Sequence, residues 1–467
     1  MTPPRRIAIV GTGVSGLTAA ALLHHAGHEL VVYEAGGHVG GHVNTIDVER
    51  DGERHAIDTG FIVFNVPRYP HLVRLFARLG IESRATTMSF SVRDEATGLE
   101  YNGTSLDGLL AQRRNAVRPR FLRMIRDILR FHRVALAWLA EQESAGRPDD
   151  GTTVGEFVAR HRLGEDFRER YLLPIGASIW SCPAGTFAGF PVRFVLEFMR
   201  HHRMLHLGGR PTWRTVVGGS ARYVERLTAP FADRIRLRTP VRRVRRDADG
   251  VTIETDAHAP ERFDEVVIAA HADEALAMLD DPAPAERELL AAFPYQRNEA
   301  VLHVDASVLP RARRAWAAWN YLLPAEPGAA VRITYDMNIL QGLESRHEWC
   351  VTLNDDGRID PATVVGRYDY AHPVYTPARA EAQARHAELI RARRTSFCGA
   401  YWGYGFHEDG CASGVRVAEA FGATFAAWEA GPPDAAAGPG SAAPDATGGA
   451  DADADRATEA AAAAGAA

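Results

Sequence analysis

Near the N-terminus, Gly11-Thr-Gly-Val-Ser-Gly16 is followed by an acid, Glu34. Together these residues can hold a diphosphate and a sugar. Gly11 permits a tight turn, Gly13 lets backbone come close to a pyrophosphate, and Gly16 lets a helix pack closely on a strand. N–H groups at Val14 and Ser15, at the positive end of a helix dipole, would face the phosphates. The Glu34 carboxylate can accept hydrogen bonds from both hydroxyls of an adenosine ribose, and it would repel a 2′-phosphate, which disfavours NADP. A G-x-G-x-x-G pattern acquires this meaning only between a strand and a helix. The chain supplies both. Arg6–Val10 reads as a short buried strand, Leu17–His25 as a helix of small and apolar residues ended by Gly27, and Glu29–Tyr33 as a second strand carrying Glu34 at its end. The pattern does not recur, so a dedicated NAD(P)H site is not expected.

The next residues, Glu34-Ala-Gly-Gly-His-Val-Gly-Gly-His-Val-Asn-Thr45, add a second glycine-rich loop that includes Ala35, Gly40, Gly41 and His42. This loop resembles the second glycine signature of the superfamily of flavoprotein amine oxidases, protoporphyrinogen oxidases and phytoene desaturases. The resemblance implies FAD, with the loop covering its pyrophosphate. His42 stands where that superfamily usually has arginine, and a neutral imidazole is a weaker phosphate partner than a guanidinium. Thr239-Pro-Val241, with Val244, resembles the strand whose valine backbone contacts adenine. Phe397-Cys-Gly-Ala400, Tyr404-Gly-Phe-His-Glu-Asp-Gly410 and Ser413-Gly414 resemble the C-terminal flavin segment, in which a glycine opens a helix aimed at the flavin ring. The acid usual after Phe-x-Gly is replaced by Ala400, so Asp409 or Glu408 is expected to supply the missing polar contact. Asp58-Thr-Gly-Phe-Ile-Val-Phe-Asn65 (which contributes Thr59 and Gly60 to the expected site), Tyr101-Asn-Gly103, Ile179-Trp-Ser-Cys-Pro183, Trp316 to Tyr321 and Gly405 to Gly410 look like a bacterial subfamily of NAD/FAD-binding oxidoreductases. Its members often occur beside cyclopropane-fatty-acid-synthase-like enzymes. The resemblance runs from about residue 5 to residue 425.

A flavin performs hydride chemistry itself, and the protein positions a C–H bond, excludes water and tunes the potential. The candidates at the reacting end are His407, Tyr404 and Trp402, with Tyr401 and Phe406 completing an aromatic wall. Core packing is the competing reading for these rings. Trp180, Ser181 and Cys182 read equally well as a pocket rim or as a core turn. All 53 basic residues are arginine. The lysine that amine-oxidising relatives usually place beside the flavin is therefore missing. The favoured reading is an FAD-dependent oxidoreductase acting by hydride transfer on an apolar small molecule, a fatty-acyl or isoprenoid lipid. The alternatives are a peroxide-producing amine oxidase, a flavin-dependent isomerase, and a module that holds FAD without catalysis. Cys398 and Cys411 do not match the covalent-attachment position, so FAD is expected to be non-covalent. The cysteines form no C-x-x-C pair, and no metal site is expected.

These residues need a scaffold of several parts. The chain has 467 residues, of which 46% are hydrophobic and 24% charged, which excludes a largely disordered protein. The expected fold class is α/β: a discontinuous, glutathione-reductase-type FAD-binding Rossmann domain, and a substrate domain of mixed or antiparallel sheet with a helical insertion. The expected boundaries are 1–65, 215–295 and 390–429 for the cofactor domain and 66–214 and 296–389 for the substrate domain. Strands are expected at Thr86–Val92, Arg234–Val244, Val251–Thr255, Phe263–Ala270, Glu299–Val304, Val331–Met337 and Glu348–Leu353. Residues 430–467 are mostly Ala, Gly, Pro and Asp, and are expected to be disordered. Their six acids against one arginine carry most of the formal charge of −6, so the remainder is nearly neutral and gives no support to nucleic-acid binding. No apolar run is long enough for a spanning helix, and the first apolar run, Ile7 to Val10, is interrupted at once by glycines and so lacks a signal-peptide layout, which points to a cytoplasmic protein. In Arg113–Leu139, Arg123, Arg126, Arg130 and Arg133 share one helical face and Phe121, Ile125, Ile128 and Leu139 the other. That face reads either as a solvated basic surface or as a peripheral contact with an anionic membrane. The oligomeric state is not legible.

Overall fold

The structure is a computed structural model and describes residues 3–431 except 147–149, 181, 183, 207, 210, 327–331 and 377. The tail from residue 432, and with it the expected disorder, lies outside the described residues, as do Ser181 and Val331. A five-stranded parallel sheet runs in the order Ile235–Arg236, Glu29–Tyr33, Arg6–Val10, Glu265–Ile268, Thr395–Phe397. Its strands come from three separated stretches of chain, and their central residues are almost wholly apolar and buried, as a sheet covered on both faces requires. Helices Val14–His25 and His407–Glu419 cover one face. An antiparallel sheet of Val241–Arg246, Val251–Thr255 and Glu261–Phe263 packs on the other.

A second, seven-stranded sheet is antiparallel except for one parallel pair, Trp319–Leu323 with Phe90–Asp94. Its long strands Tyr295–His303 and Val364–Pro373 form one edge. Between residues 106 and 201 the chain is mainly helical and builds its own aromatic-rich core. The helical insertion and the two-sheet α/β plan agree with the sequence reading. The strand spans differ where local chemistry intervenes. The run Thr86–Val92 breaks at Ser89, whose carbonyl and hydroxyl take the N–H groups of Trp319 and Ala318. Ser83–Thr86 therefore pairs with Trp213–Val216, while Phe90–Asp94 joins the large sheet. Arg234–Val244 breaks at Pro240, which has no N–H for a ladder, so its halves belong to different sheets. Trp213–Val216 also straddles the boundary expected at 214.

Asp58 ties these parts together. It is fully buried and ends the ribbon Thr45–Arg50/Glu53–Asp58. Its carboxylate accepts hydrogen bonds from Thr45 Oγ1 at 2.6 Å, Ser220 N at 2.9 Å and Ser220 Oγ at 2.7 Å. Gln341, on helix Met337–Gln341 beside the large sheet, reaches it from Nε2 at 3.3 Å and takes the Asp58 N–H at 2.9 Å. Burial pushes the carboxyl up to about 6, against the opposing pull of the Thr45 and Ser220 bonds. Asp58→Ala takes the carboxylate acceptor from Thr45 Oγ1, Ser220 N and Ser220 Oγ, each worth about 1–3 kcal/mol, and is expected to lower stability by about 3 kcal/mol or more in denaturant titration. The folded-state value lies above the unfolded one, so this residue's stabilisation is full below about pH 4 and declines as pH rises through about 6. Asp58→Asn should abolish that decline in a pH series of melting temperatures.

Candidate functional site

One cavity of about 1010 Å³ runs from the parallel sheet to the helical region. Its walls at the sheet end are Gly11, Gly13, Val14, Ser15, Glu34, Ala35, Gly40, Gly41, His42, Thr59, Gly60 and Val241, all expected from sequence. Gly399, Ala400, Tyr401, Gly405, Phe406 and His407 bring the third stretch to the same space. Gly16 lies beneath the turn: a Cβ there would strike the Gly11 carbonyl oxygen and sit 2.9 Å from Ala269 Cβ. At Gly13, by contrast, a Cβ would meet nothing within 4 Å, because it would project into the open cradle. No side chain caps the helix that starts at Val14, so its first N–H groups are available to an anion. Glu34 is held in place by the N–H groups of Thr12 at 3.0 Å and Gly36 at 2.7 Å and by the Thr12 hydroxyl. This arrangement of an open glycine cradle, an uncapped helix and an oriented carboxylate fits the diphosphate and ribose of a dinucleotide.

The expected polar contact after Ala400 is built differently. Asp409 does not line the cavity; it accepts the Phe406 N–H at 2.9 Å and caps its own helix. Burial pushes its carboxyl up to about 7. Glu408 turns away as well, accepting the N–H groups of His71 and Leu72, both at 3.0 Å, and so caps helix Pro70–Leu79. Gly410 is a packing contact, with its position 2.6 Å from Val14 Cγ1 once a Cβ is added.

Of the three candidates for the reacting end, only His407 reaches the cavity. Its ring stacks on Phe61 at 3.8 Å, and its Nε2 shares a hydrogen bond of 2.6 Å with the Tyr223 hydroxyl. Burial holds it down to about 3, so it is neutral and already partnered, a wall rather than a base near neutrality. Trp402 stacks on His386 at 4.0 Å within the core beside the parallel sheet. Tyr404 stacks on Phe194 of the helical core. Their flat apolar faces are satisfied by packing, and the cavity takes Tyr401 and Phe406 in their place. Trp180 likewise joins an aromatic cluster with Phe187, Phe190, Phe194 and Phe198, as the core-turn reading has it.

Among the lining residues not singled out from sequence are Tyr370, His372, His271 and Tyr295, which share one wall. Tyr370 Oη bonds Thr59 Oγ1 at 2.7 Å and accepts from Asn44 Nδ2 at 3.0 Å. The His42 ring lies 5.1 Å from Tyr370, 5.3 Å from His372 and 6.0 Å from His271. Burial, then the neighbouring imidazoles, hold His42 well below its ordinary range. The alternation Tyr368, Tyr370, His372 marks one face of a strand but gives no sign that it meets His271 and Tyr295. All four cysteines are buried, and none lines the cavity. Burial pushes Cys182, Cys398 and Cys411 up to about 12. Glu34→Ala removes charge-assisted hydrogen bonds worth about 1.5–3 kcal/mol and should weaken FAD binding by tenfold or more, measured by quenching of flavin fluorescence.

Comparison with known proteins gives the same picture. The Mycobacterium tuberculosis protein AofH, whose name places it among flavin-containing monoamine oxidases, is 28% identical over 293 residues, 61% of this chain and 61% of that protein. The chain thus spans less than two thirds of that relative. Cyclohexylamine oxidase from Brevibacterium oxydans shares the fold at TM-score 0.63 and 17% identity, over 90% of this chain and 99% of that one. A fatty acid isomerase from P. acnes does so at 0.62 and 17%, over 91% and 100%. Residues 14–304 match the flavin containing amine oxidoreductases. With an FAD-shaped cradle built from three stretches of its sequence, the chain belongs to the flavin containing amine oxidoreductase family.

Proposed function

We propose that the protein is an FAD-dependent oxidoreductase that moves a hydride between the flavin and an apolar substrate of the fatty-acyl or isoprenoid lipid class. The observation that carries this reading is the far end of the cavity. Leu109, Ile125, Ile128, Ile175, Ile179 and Met204 line it, drawn from the helical region. Bound FAD supplies the hydride chemistry. The chain's part is to hold a C–H bond against it and keep water out, and an apolar wall does both for a hydrocarbon. Among the described lining residues the carboxylates are Glu34 and Glu274, both on elements around the parallel sheet. The apolar end therefore offers no anion to pair with an ammonium.

An amine-oxidase reading is favoured by the names of AofH and cyclohexylamine oxidase, just as the fatty acid isomerase of the same fold favours a lipid. Anaerobic mixing separates them: lipid fractions should bleach the flavin's visible band and simple amines should not. The reverse pattern would overturn the lipid assignment. Ile179→Glu should suppress bleaching by lipid while FAD stays bound.

Access from a lipid surface is part of the same proposal. Arg123, Arg126 and Arg133 lie exposed on helix Pro119–Ser144. Leu122 and Leu129 on that helix are 50% and 48% exposed, and Val117 just before it is 78% exposed. Leu129 also lines the cavity, as do Ile125 and Ile128, whereas Phe121 and Leu139 are buried in the helical core. Leucines beside arginines suit an anionic bilayer, each arginine being worth about 1 kcal/mol near such a surface. No helix among the described residues is long and apolar enough to cross a membrane. The protein should co-sediment with anionic vesicles and not with zwitterionic ones, and the triple change Arg123→Glu, Arg126→Glu, Arg133→Glu should abolish this. Equal binding to both vesicle types would exclude the arginine contact.

A further inference from the structure

A chain of hydrogen bonds behind the cavity wall ends on His372. The backbone N–H of Glu299 points at Asn354 Oδ1, 3.2 Å away. A backbone N–H can only donate, so the Asn354 atom facing it is the oxygen, and the Asn354 amide nitrogen faces the other way. That nitrogen donates to Asn298 Oδ1 at 2.8 Å, and Gln296 Nε2 reaches the same oxygen at 3.4 Å. Asn298 Nδ2 is thereby directed at His372 Nδ1, 2.9 Å away, which must accept. Each amide orientation follows from the one before it, and the first is fixed by the backbone.

The relay is anchored at both ends. Asn354 has φ +55°, a left-handed conformation that asparagine tolerates better than most residues, and its own N–H bonds the Glu299 carbonyl at 2.8 Å. Asn298 is buried in strand Tyr295–His303, paired with Tyr370 of the strand that carries His372. Burial beside His271 holds His372 down to about 4, so the ring is neutral. A neutral imidazole that accepts at Nδ1 carries its proton on Nε2. The ring lines the cavity next to His42, from the glycine-rich cofactor loop, and Asn298 occupies only its Nδ1.

We propose that His372 is an Nε2–H hydrogen-bond donor to the bound FAD, with Asn298 and Asn354 as positioning residues that lock its tautomer and so favour the reduced, more electron-rich flavin. The inference rests on the FAD-dependent redox reading above. A donor at a site where negative charge develops acts without itself giving up a proton.

Two measurements test it. In protein labelled with 15N-histidine, the His372 signals, assigned by their loss in His372→Gln, should show Nε2 protonated and Nδ1 free. A protonated Nδ1 would overturn the proposal before any turnover is measured. The flavin midpoint potential should then fall in FAD-loaded Asn298→Leu and His372→Gln by the equivalent of a tenfold shift toward oxidised flavin, about 30 mV for a two-electron couple. Asn298→Asp, whose carboxylate accepts from Nδ1–H, should move the proton across the ring in the 15N spectrum. An unchanged potential in Asn298→Leu and His372→Gln, with FAD fully bound, would sink the His372 assignment alone. Failure of the unaltered protein to bind FAD would sink the redox reading instead.

Discussion

Two helices aim their N-terminal ends into the same cavity and touch where they do so. Val14–His25 and His407–Glu419 meet through glycines: a Cβ on Gly410 would lie 2.6 Å from Val14 Cγ1, and one on Gly414 would strike the Ser15 carbonyl oxygen. Overpacking of this kind typically costs about 1–3 kcal/mol or is relieved by spreading the elements. Spreading would part the Gly11–Gly16 turn from the Gly399–His407 segment, and with it the two halves of the cofactor cradle. The close approach also superposes two positive dipole ends on one space, a field suited to a diphosphate and to an electron-rich ring. The glycines are thus as much a part of the site as the residues that line it.

The acids near the second helix show how that field is kept. Glu408 and Asp409 stand in its first turn, where carboxylates favour the helix. Both are turned away from the cavity, one to cap helix Pro70–Leu79 and one to cap its own. The neutral histidines His42, His372 and His407 add no net charge at the wall. The polarity at the sheet end of the cavity therefore comes largely from oriented N–H groups and helix ends.

Much of this was legible in the sequence because it rests on local patterns. The glycine turn, Glu34, the loop to His42 and the segment after Phe397 are short motifs whose chemistry follows from spacing, and the structure gathers them around one cavity. The wall built by Tyr370, His372, His271 and Tyr295 was not legible, because it arises from register between strands far apart in the chain. Asn298 and Asn354, separated by more than fifty residues, acquire a role only when that register places them in line. Aromatic residues misled in a different way. Trp402 and Tyr404 share a motif with Tyr401 and Phe406, and sequence spacing alone does not tell which rings face a ligand and which face the core.

The burial of every cysteine has a consequence for durability. Flavins that meet dioxygen release hydrogen peroxide, and the form of cysteine that peroxide attacks is the thiolate. Here Cys182, Cys350, Cys398 and Cys411 are shut away from solvent, and burial keeps each in its thiol form. Any oxidant leaking from this flavin would find no ready thiolate among these four cysteines, which leaves them resistant to self-inflicted oxidation and to alkylating reagents alike.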